Sequence, residues 1–266
     1  PTERNRIDGY LPMIYAKWED DSVSYEQTTF ATLLDGDILG DEPMQGDDPV
    51  ILHMKVTLTN SGDRPKELNL KLTSKCDVEE TLEANDGFVY ANNYNPKRMR
   101  YFVDKMGKGD LEGSSYKITL AGKESHSIYI KIPFITLMEN DFELAKKADY
   151  ESEFPRVKKF WNDRIAQGSQ ITVPNEILSN FYKAHTTHML ITDDREVGSD
   201  RYASRVGTFP YGVFPDESVM CISDFDRRGY KKEAEERLEL LVHYQSTVGV
   251  PGTYSKIDGQ YYGAGG

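Results

Sequence analysis

The spacing of apolar residues changes at Pro133, and this change limits the folds that the chain can adopt. Before Pro133, apolar and polar side chains alternate in several short runs, which is the period of a strand with one buried face. After Pro133, apolar residues recur every three or four positions, which is the period of an amphipathic helix. The sequence therefore predicts antiparallel β-structure followed by a helical region.

Two pairs of alternating runs predict hairpins in the β region. Residues 50–59 alternate and are followed, after a turn, by alternation over 68–72. Residues 116–120 and 128–132 flank a second turn in the same way. On this pattern His53 belongs to the polar, solvated face of its strand. Further strands are predicted at 88–91, at 99–103 and near residue 30.

These patterns divide the chain into three predicted parts. Residues 1–139 form an antiparallel β-sandwich, because several short strands with regular turns favour two packed sheets. Residues 140–168 form a helical linker, with Pro155 in the first turn of its helix and Gly168 at its exit. Residues 169–266 form a strongly helical domain.

Three helices are predicted in the last part. The first follows Pro174 and Asn175, and its apolar stripe consists of Ile177, Phe181, Ala184, His188 and Ile191. The second begins at Ser218, ends at Gly229 and buries Val219, Ile222 and Phe225. The third begins near Lys231, and its buried face carries Ala234, Leu238 and Leu241 while Glu233 and Arg237 lie on its outer face. The last two helices are expected to form an αα-hairpin.

Charge and hydropathy argue against some classes of binding partner. The formal net charge is −12 and the sequence pI is about 5.0, which argues against a nucleic-acid partner because phosphate binding needs clustered Lys and Arg. No apolar run approaches the length of a membrane span. We expect no metal and no cofactor, since the sequence has no zinc-ligand spacing and no Gly-rich phosphate loop.

The segment 193–218 between the first two helices of the helical domain is the best candidate for function. It is much longer than the roughly 2 to 8 residues that usually connect helices, and it is rich in carboxylates, Arg and aromatic residues. Its last part places Asp216, Glu217 and Ser218 where a helix begins. Either these residues cap the helix, with Asp216 or Ser218 as N-cap, or they bind a ligand.

The order of these parts resembles the six-hairpin glycosidase superfamily. The resemblance rests on a β-sandwich, a linker containing Phe160 and Trp161, a helix that starts after Val173 and Pro174, the segment PDES at 215–218, and GYKKEAEERLELLVHYQ. It is closest to the glucoamylase and sandwich-plus-barrel branches. The resemblance implies that residues 169–266 are the opening helical hairpins of an incomplete (α/α)6 toroid.

The family pattern also suggests substrate-binding residues. By resemblance, Tyr211 corresponds to an aromatic residue of the pocket and Asp216 to a carboxylate that binds sugar hydroxyls. The chain departs from the pattern at Pro215, where glucoamylases have Arg, and at Glu217, which is inserted before Ser218. Either Asp216 or Glu217 therefore takes the sugar-binding role. Further substrate-binding candidates are Arg205, Asp258 and Gln260.

The family implies hydrolysis of a glycosidic bond, usually with inversion by one carboxylic acid and one carboxylate. Twelve helices need well over two hundred residues, so both catalytic carboxylates are expected beyond Gly266. Such a half-toroid would expose apolar side chains such as Leu238 and Leu241, so we expect a longer chain or a second subunit to cover them. A polysaccharide substrate favours a secreted or periplasmic protein.

Several alternatives stay open at this point. A sugar phosphorylase of similar architecture, or a carbohydrate-binding or assembly module without catalysis, fits the same parts. His185 and His188 are three residues apart, which suits a core or pocket pair better than a metal site. Asp193 and Asp194 are predicted as solvated charges at a helix end. Arg201 and Arg205 either clamp a uronic acid or pair with Asp200 and Asp194.

Overall fold

Contacts divide the chain into two compact units. The computed structural model describes residues 2–40, 44, 48–73, 79–147, 149–196, 198–205, 213–245, 253–255 and 260–262. Unit 1 comprises residues 1–8, 13–40 and 49–158, and unit 2 comprises residues 9–12, 41–48 and 159–266.

Unit 1 is built from antiparallel strands. They are β1 Glu3–Arg6, β2 Ile14–Asp20, β3 Val23–Leu33, β4 Val50–Asn60, β5 Lys66–Lys71, β6 Leu82–Asn85, β7 Phe88–Ala91, β8 Arg98–Asp104, β9 Asp110–Glu112, β10 Ser115–Leu120 and β11 Ser125–Pro133. Within the described residues, eight strands form a larger sheet in the order β1-β2-β3-β4-β11-β8-β7-β6, and three form a smaller sheet in the order β5-β10-β9. The predicted antiparallel β-structure is therefore confirmed.

The two sheets share one apolar core cluster. Leu58 and Ile128 contribute to it from the larger sheet, and Tyr116 and Leu120 contribute from the smaller one; all four side chains are fully buried. The alternation of the sequence therefore places the apolar side chains of both sheets against each other. Burial of this surface is the main term that stabilises unit 1.

The strand pairing differs from the predicted hairpins. β4 pairs with β3 and β11, whereas β5 pairs with β10, so neither predicted hairpin forms. The buried side chain of Asn60 donates to the carbonyl oxygens of Arg64 at 2.8 Å and Ala121 at 3.0 Å. These hydrogen bonds hold both connections where the chain crosses from one sheet to the other. The turn signal was correct, but the turn joins two different sheets.

Five helices lie in the described part of the chain. They are α1 Leu144–Lys147, α2 Tyr150–Ala166, α3 Glu176–Thr192, α4 Pro215–Arg227 and α5 Lys231–Tyr244. Four further short strands form two hairpins: β12 Asp194–Arg195 with β13 Tyr202–Ala203, and β14 Thr253–Ser255 with β15 Gln260–Tyr262. The predicted change from strands to helices is confirmed.

Capping side chains set the starts of two helices. Asn175 accepts hydrogen bonds from the backbone N–H groups of Ile177 and Leu178, so α3 starts where the sequence predicts. α2 begins at Tyr150, several residues before the predicted start at Pro155, because the Asp149 carboxylate accepts hydrogen bonds from two N–H groups of its first turn. Pro155 therefore lies inside the helix and does not begin it.

His53 is buried, contrary to the prediction that it faces water. Its ring stacks on Phe30, with centroids 5.1 Å apart, and lies edge-on to Tyr150 of α2 at 6.3 Å. Neither ring nitrogen has a hydrogen-bond partner among the described residues. This strand is covered on both faces at His53, because the start of α2 packs on the face that alternation assigns to solvent.

The buried face of α3 is not the predicted apolar stripe. Ile177 is 77% exposed and Phe181 is 67% exposed, whereas Thr186 and Thr187 are buried. Each buried hydroxyl donates to a backbone carbonyl one turn earlier in the helix, Tyr182 O at 3.2 Å or Ala184 O at 2.8 Å. The threonines can therefore enter the core without an unsatisfied polar atom.

α4 and α5 bury Ile222, Phe225 and Ala234 as predicted, but other residues of their faces differ from the prediction. Val219 and Leu238 are about half exposed, whereas Glu233 and Arg237, predicted to face outward, are buried. Leu241, predicted as buried, is partly buried and packs in the core of unit 2. Partners far along the chain cause the difference, since buried charges are tolerated only when they are paired.

The turn between α4 and α5 follows the prediction closely. Gly229 has φ of +87°, the left-handed conformation that favours glycine. The Tyr230 N–H donates to Phe225 O at 2.9 Å and the Gly229 N–H to Asp226 O at 3.0 Å, while the rings of Phe225 and Tyr230 are in contact. This is a Schellman motif, and it completes the predicted αα-hairpin.

Substitution of Gly229 tests this turn. Gly229→Ala should lower the free energy of unfolding by about 1–2 kcal/mol, because a Cβ disfavours positive φ. Space is not the cause, since the nearest atom to the added Cβ, Ser169 Oγ, lies 3.5 Å away. Gly229→Asn should cost less, because Asn tolerates this conformation better. Urea unfolding of the three proteins checks this, and equal losses for Ala and Asn would contradict it.

Candidate functional site

The first turn of α4 carries the two carboxylates that the sequence singles out. Phe214 is the N-cap residue and its side chain makes no capping hydrogen bond. Pro215 follows at the first helical position, where its missing N–H leaves no bond unmade. Asp216 and Glu217 therefore lie in the first turn, beside the positive end of the helix dipole. Asp216 is exposed and Glu217 is partly buried.

The predicted N-cap assignment is wrong, although Asp216 and Glu217 in the first turn still suit the helix dipole. Neither Asp216 nor Ser218 is the N-cap, because the helix starts at Pro215. The buried Ser218 hydroxyl instead donates to Ser204 O at 2.8 Å. The signal for the correct start was Pro215 itself, since proline is favoured in the first turn of a helix.

Ser204 accepts the hydrogen bond from Ser218 of α4, and the next residue in the chain is Arg205. Arg205 is buried, and its Nη2 lies 2.7 Å from Asp194 Oδ2. Of the two predicted alternatives for Arg205, the ion pair with Asp194 is therefore formed. Burial raises the pKa of Asp194, while the charge of Arg205 opposes this shift. The structure thus brings Arg205 next to the first turn of α4 as part of its support.

Asp193, which directly follows α3, forms a fully buried ion pair with Arg237 of α5. Asp193 and Arg237 are 2% and 3% exposed, and the Arg237 guanidinium also donates to Glu233 O at 2.7 Å and packs over the Phe225 ring. Burial raises the pKa of Asp193 to about 6, although Arg237 opposes this. Asp193 was predicted to be solvated, and this prediction is wrong because α5 supplies its counter-ion.

A second polar cluster fixes the hairpin β12–β13. Glu196 accepts hydrogen bonds from Arg201 at 2.7 Å, from Ser199 at 2.7 Å and from the Tyr244 hydroxyl. Burial acts to raise the pKa of Glu196, but these hydrogen bonds outweigh burial and lower it. Arg201 therefore pairs with Glu196, while the predicted partner Asp200 pairs with Arg195.

His185 and His188 do not form a core pair. His185 is partly exposed, its Nδ1 lies 3.0 Å from Arg228 Nη2, and His188 is exposed. Among the residues that the structure describes, no group of three or more His, Cys, Asp or Glu has an arrangement that could hold a metal ion. The same residues contain no helix long and apolar enough to cross a bilayer.

The remaining candidate residues are only partly placed. Tyr211 and Asp258 lie outside the described residues. Gln260 begins β15, for which only the backbone is described. Of the six predicted substrate-binding residues, the structure describes the side chains of Arg205, Asp216 and Glu217, and the contact between Ser204 and Ser218 joins their two segments. Sequence reasoning missed Arg237, because its position on α5 matched an outer-face charge pair.

The arrangement suits recognition of polar groups. Asp216 and Glu217 present carboxylate oxygens at a helix start, and carboxylates are strong acceptors for hydroxyl donors. The Ser218 hydroxyl, next to Glu217, is held by Ser204 O, and Ser204 is followed by Arg205, which pairs with Asp194. Such a fixed support is what a binding site needs to hold its contacting groups in place.

Comparisons with known proteins give no family assignment. No protein-family model matches the chain, and no curated protein is significantly similar to it.

Proposed function

We propose that the chain is part of a glycoside hydrolase that acts on an oligosaccharide or polysaccharide, with Asp216 and Glu217 binding sugar hydroxyls. The observation that carries the proposal is the pair of carboxylates in the first turn of α4, on a backbone that buried polar contacts hold in place. Carboxylates with this support bind sugar hydroxyls well, since each charged hydrogen bond contributes about 1.5–3 kcal/mol.

The proposed architecture is a β-sandwich followed by hairpins of an (α/α)6 toroid. The core cluster that the two sheets share supports the sandwich. The exposed apolar side chains of unit 2 support the toroid, because in such a ring these helix faces pack on neighbouring helices; they are Ile177, Leu178, Phe181, Ile191, Val219, Met220, Leu238 and Val242.

Binding and hydrolysis together test the function. We expect an oligosaccharide to bind the full chain, and Asp216→Asn with Glu217→Gln to weaken binding by about 1.5–3 kcal/mol for each charged hydrogen bond lost. Both changes keep the shape of the side chain and remove its charge. Asp226→Asn is the matched control, because Asp226 is an exposed carboxylate at the other end of α4. Calorimetric titration measures the affinities.

The reaction is measured separately, as release of reducing ends from the sugar that binds. Formation of a sugar 1-phosphate from added inorganic phosphate, with no gain of reducing ends, would identify a phosphorylase instead of a hydrolase. Unchanged affinity of the double variant would contradict the role of Asp216 and Glu217. Binding without release by the complete native protein would contradict hydrolysis and identify a binding module.

A further inference from the structure

Unit 1 carries a pair of aromatic side chains, Trp18 and Tyr25, that its core does not fully bury. Trp18 of β2 lies directly opposite Tyr25 of β3, and Tyr25 lies opposite Leu58 of β4, so all three share one face of the larger sheet. The rings of Trp18 and Tyr25 are parallel, with an interplanar angle of 1° and centroids 5.3 Å apart. Both side chains remain partly exposed.

The sheet sizes explain this exposure. In the described residues the smaller sheet has three strands and the larger sheet has eight, so the smaller sheet covers only part of the shared face. Leu58 is fully buried in the core, whereas Tyr25 packs at its margin. The smaller sheet therefore does not fully cover the larger sheet near β2, and solvent reaches the rings of Trp18 and Tyr25 there.

A cleft lies at the turn between β2 and β3, the strands that carry Trp18 and Tyr25. It has a volume of about 430 Å³ and is lined by the β2–β3 turn, including Asp21 and Ser22, and by the β4–β5 connection, including Asp63 and Lys66. Lys66 donates to Asp21 across it. The pKa of Tyr25 is raised first by burial and then by the charge of Asp20, and Lys66 opposes this. The cleft therefore lies at the end of the β2–β3 hairpin whose strands carry both rings.

The chemistry of this surface favours one class of ligand. Partly exposed aromatic rings bind the flat apolar faces of pyranoses, and carboxylate, hydroxyl and ammonium groups beside them bind the sugar hydroxyls. A lipid fits poorly, because charged residues line the cleft, namely Asp21, Asp63, Arg64 and Lys66. Nucleic acid does not fit a chain with net charge −12.

We propose that Trp18, Tyr25 and the cleft beside them form a second, non-catalytic oligosaccharide-binding site on unit 1. Gln27 follows Tyr25 on the same face and adds an amide to this site; its Nε2 donates to Thr29 Oγ1 at 2.9 Å. The inference rests on the proposed function for its ligand class. It is independent of Asp216 and Glu217, which belong to unit 2.

Intrinsic fluorescence tests this site directly. The sequence contains only two tryptophans, Trp18 and Trp161, so Trp161→Phe leaves Trp18 as the single reporter. The Trp161→Phe protein is titrated with soluble tetra- to hexasaccharides of glucose, xylose and mannose. We expect a saturable change in Trp18 emission with at least one of them. Tyr25→Ala should weaken this binding by about tenfold or more, and Tyr25→Phe should retain it.

Glu26→Gln is the matched control. Glu26 is next to Tyr25 on β3 but points to the opposite face, so this variant should bind like the parent. Thermal unfolding checks that Tyr25→Ala remains folded, and Gln27→Ala should weaken binding without removing a ring from the core margin.

Three results would overturn the inference. One is no change in Trp18 emission with any of the sugars. Another is an emission change that Tyr25→Ala and Gln27→Ala leave intact. Another is self-association through this face, which light scattering would show as a dimer that Trp18→Ala dissociates. Loss of binding or hydrolysis in the Asp216→Asn, Glu217→Gln protein, with the Trp18 signal kept, separates this site from the proposed function.

Discussion

Arg237→Met should lower the free energy of unfolding by about 3–5 kcal/mol, because it leaves the Asp193 carboxylate buried without its counter-ion. Asp193 is 2% exposed, so water cannot replace the guanidinium. Met keeps much of the length and apolar volume of Arg, which limits the part of the loss that comes from packing on Phe225 and Tyr202. Urea unfolding at pH 7 measures the change.

The pH dependence identifies the source of the loss. The folded-state pKa of Asp193 is about 6, above its ordinary value of 3.8, so folded protein holds this proton more tightly than unfolded protein. Stability from this group is therefore fully present below about pH 4 and decreases as the pH rises through 6. Without Arg237 the pKa rises further, so Arg237→Met should cost less at pH 5 than at pH 7.

Two variants separate charge from packing. Asp193→Asn combined with Arg237→Met removes both charges and should be more stable at pH 7 than Arg237→Met alone. Lys232→Met is the control on the same helix, because Lys232 is 84% exposed and surface changes usually stay within about 0.5 kcal/mol. A loss for Arg237→Met as small as that of Lys232→Met would contradict the prediction.

Short-range signals in the sequence predicted the helices well. The Asn175 cap needs only two residues of α3, and the Gly229 turn needs only the four residues before it and Tyr230. The start of α4 was predicted at Ser218 and is wrong, although the local signal was present, because Pro215 marks the first turn. These interactions are local, so they can be inferred from neighbouring residues without knowledge of the tertiary structure.

The helix faces were not predictable in the same way. Apolar spacing assigned Ile177 and Phe181 to the core, yet Thr186 and Thr187 take that place because backbone carbonyls satisfy their hydroxyls. Arg237 is buried because Asp193, 44 residues earlier, pairs with it. Sequence patterns over a few residues cannot identify partners that are this far apart along the chain. The same holds for β5, because four strands of the described residues, β6 to β9, separate it along the chain from its partner β10.

The candidate site was predicted in part. The first turn of α4 was found from its carboxylates, and the pairing of Arg205 with Asp194 was one of the two alternatives considered. Its support was missed, because Asp193 looks like any helix-end charge until α5 is packed against it. The sequence thus indicates which groups are exposed to a ligand more readily than what holds them.

His53 makes unit 1 sensitive to mild acid. Burial, together with the nearby charge of Lys131, lowers the pKa of His53 from 6.5 to about 4, and Asp149 opposes this shift. The unfolded chain therefore binds this proton more tightly than the folded one. Stability is unaffected by His53 above about pH 6.5 and decreases as the pH falls from 6.5 toward 4.

The expected loss is about 3 kcal/mol between pH 7 and pH 4, because each unit of pKa shift corresponds to about 1.4 kcal/mol. His53→Phe should remove most of it, since Phe keeps an aromatic ring against Phe30 and Tyr150 but cannot take up a proton.

His243→Gln is the control, because His243 is exposed on α5 and should leave the acid loss intact. Urea unfolding at pH 7, 5.5 and 4.5 measures the slope; where the two units unfold separately, the transition of unit 1 should move. A slope that His53→Phe leaves unchanged would assign the acid sensitivity to other groups.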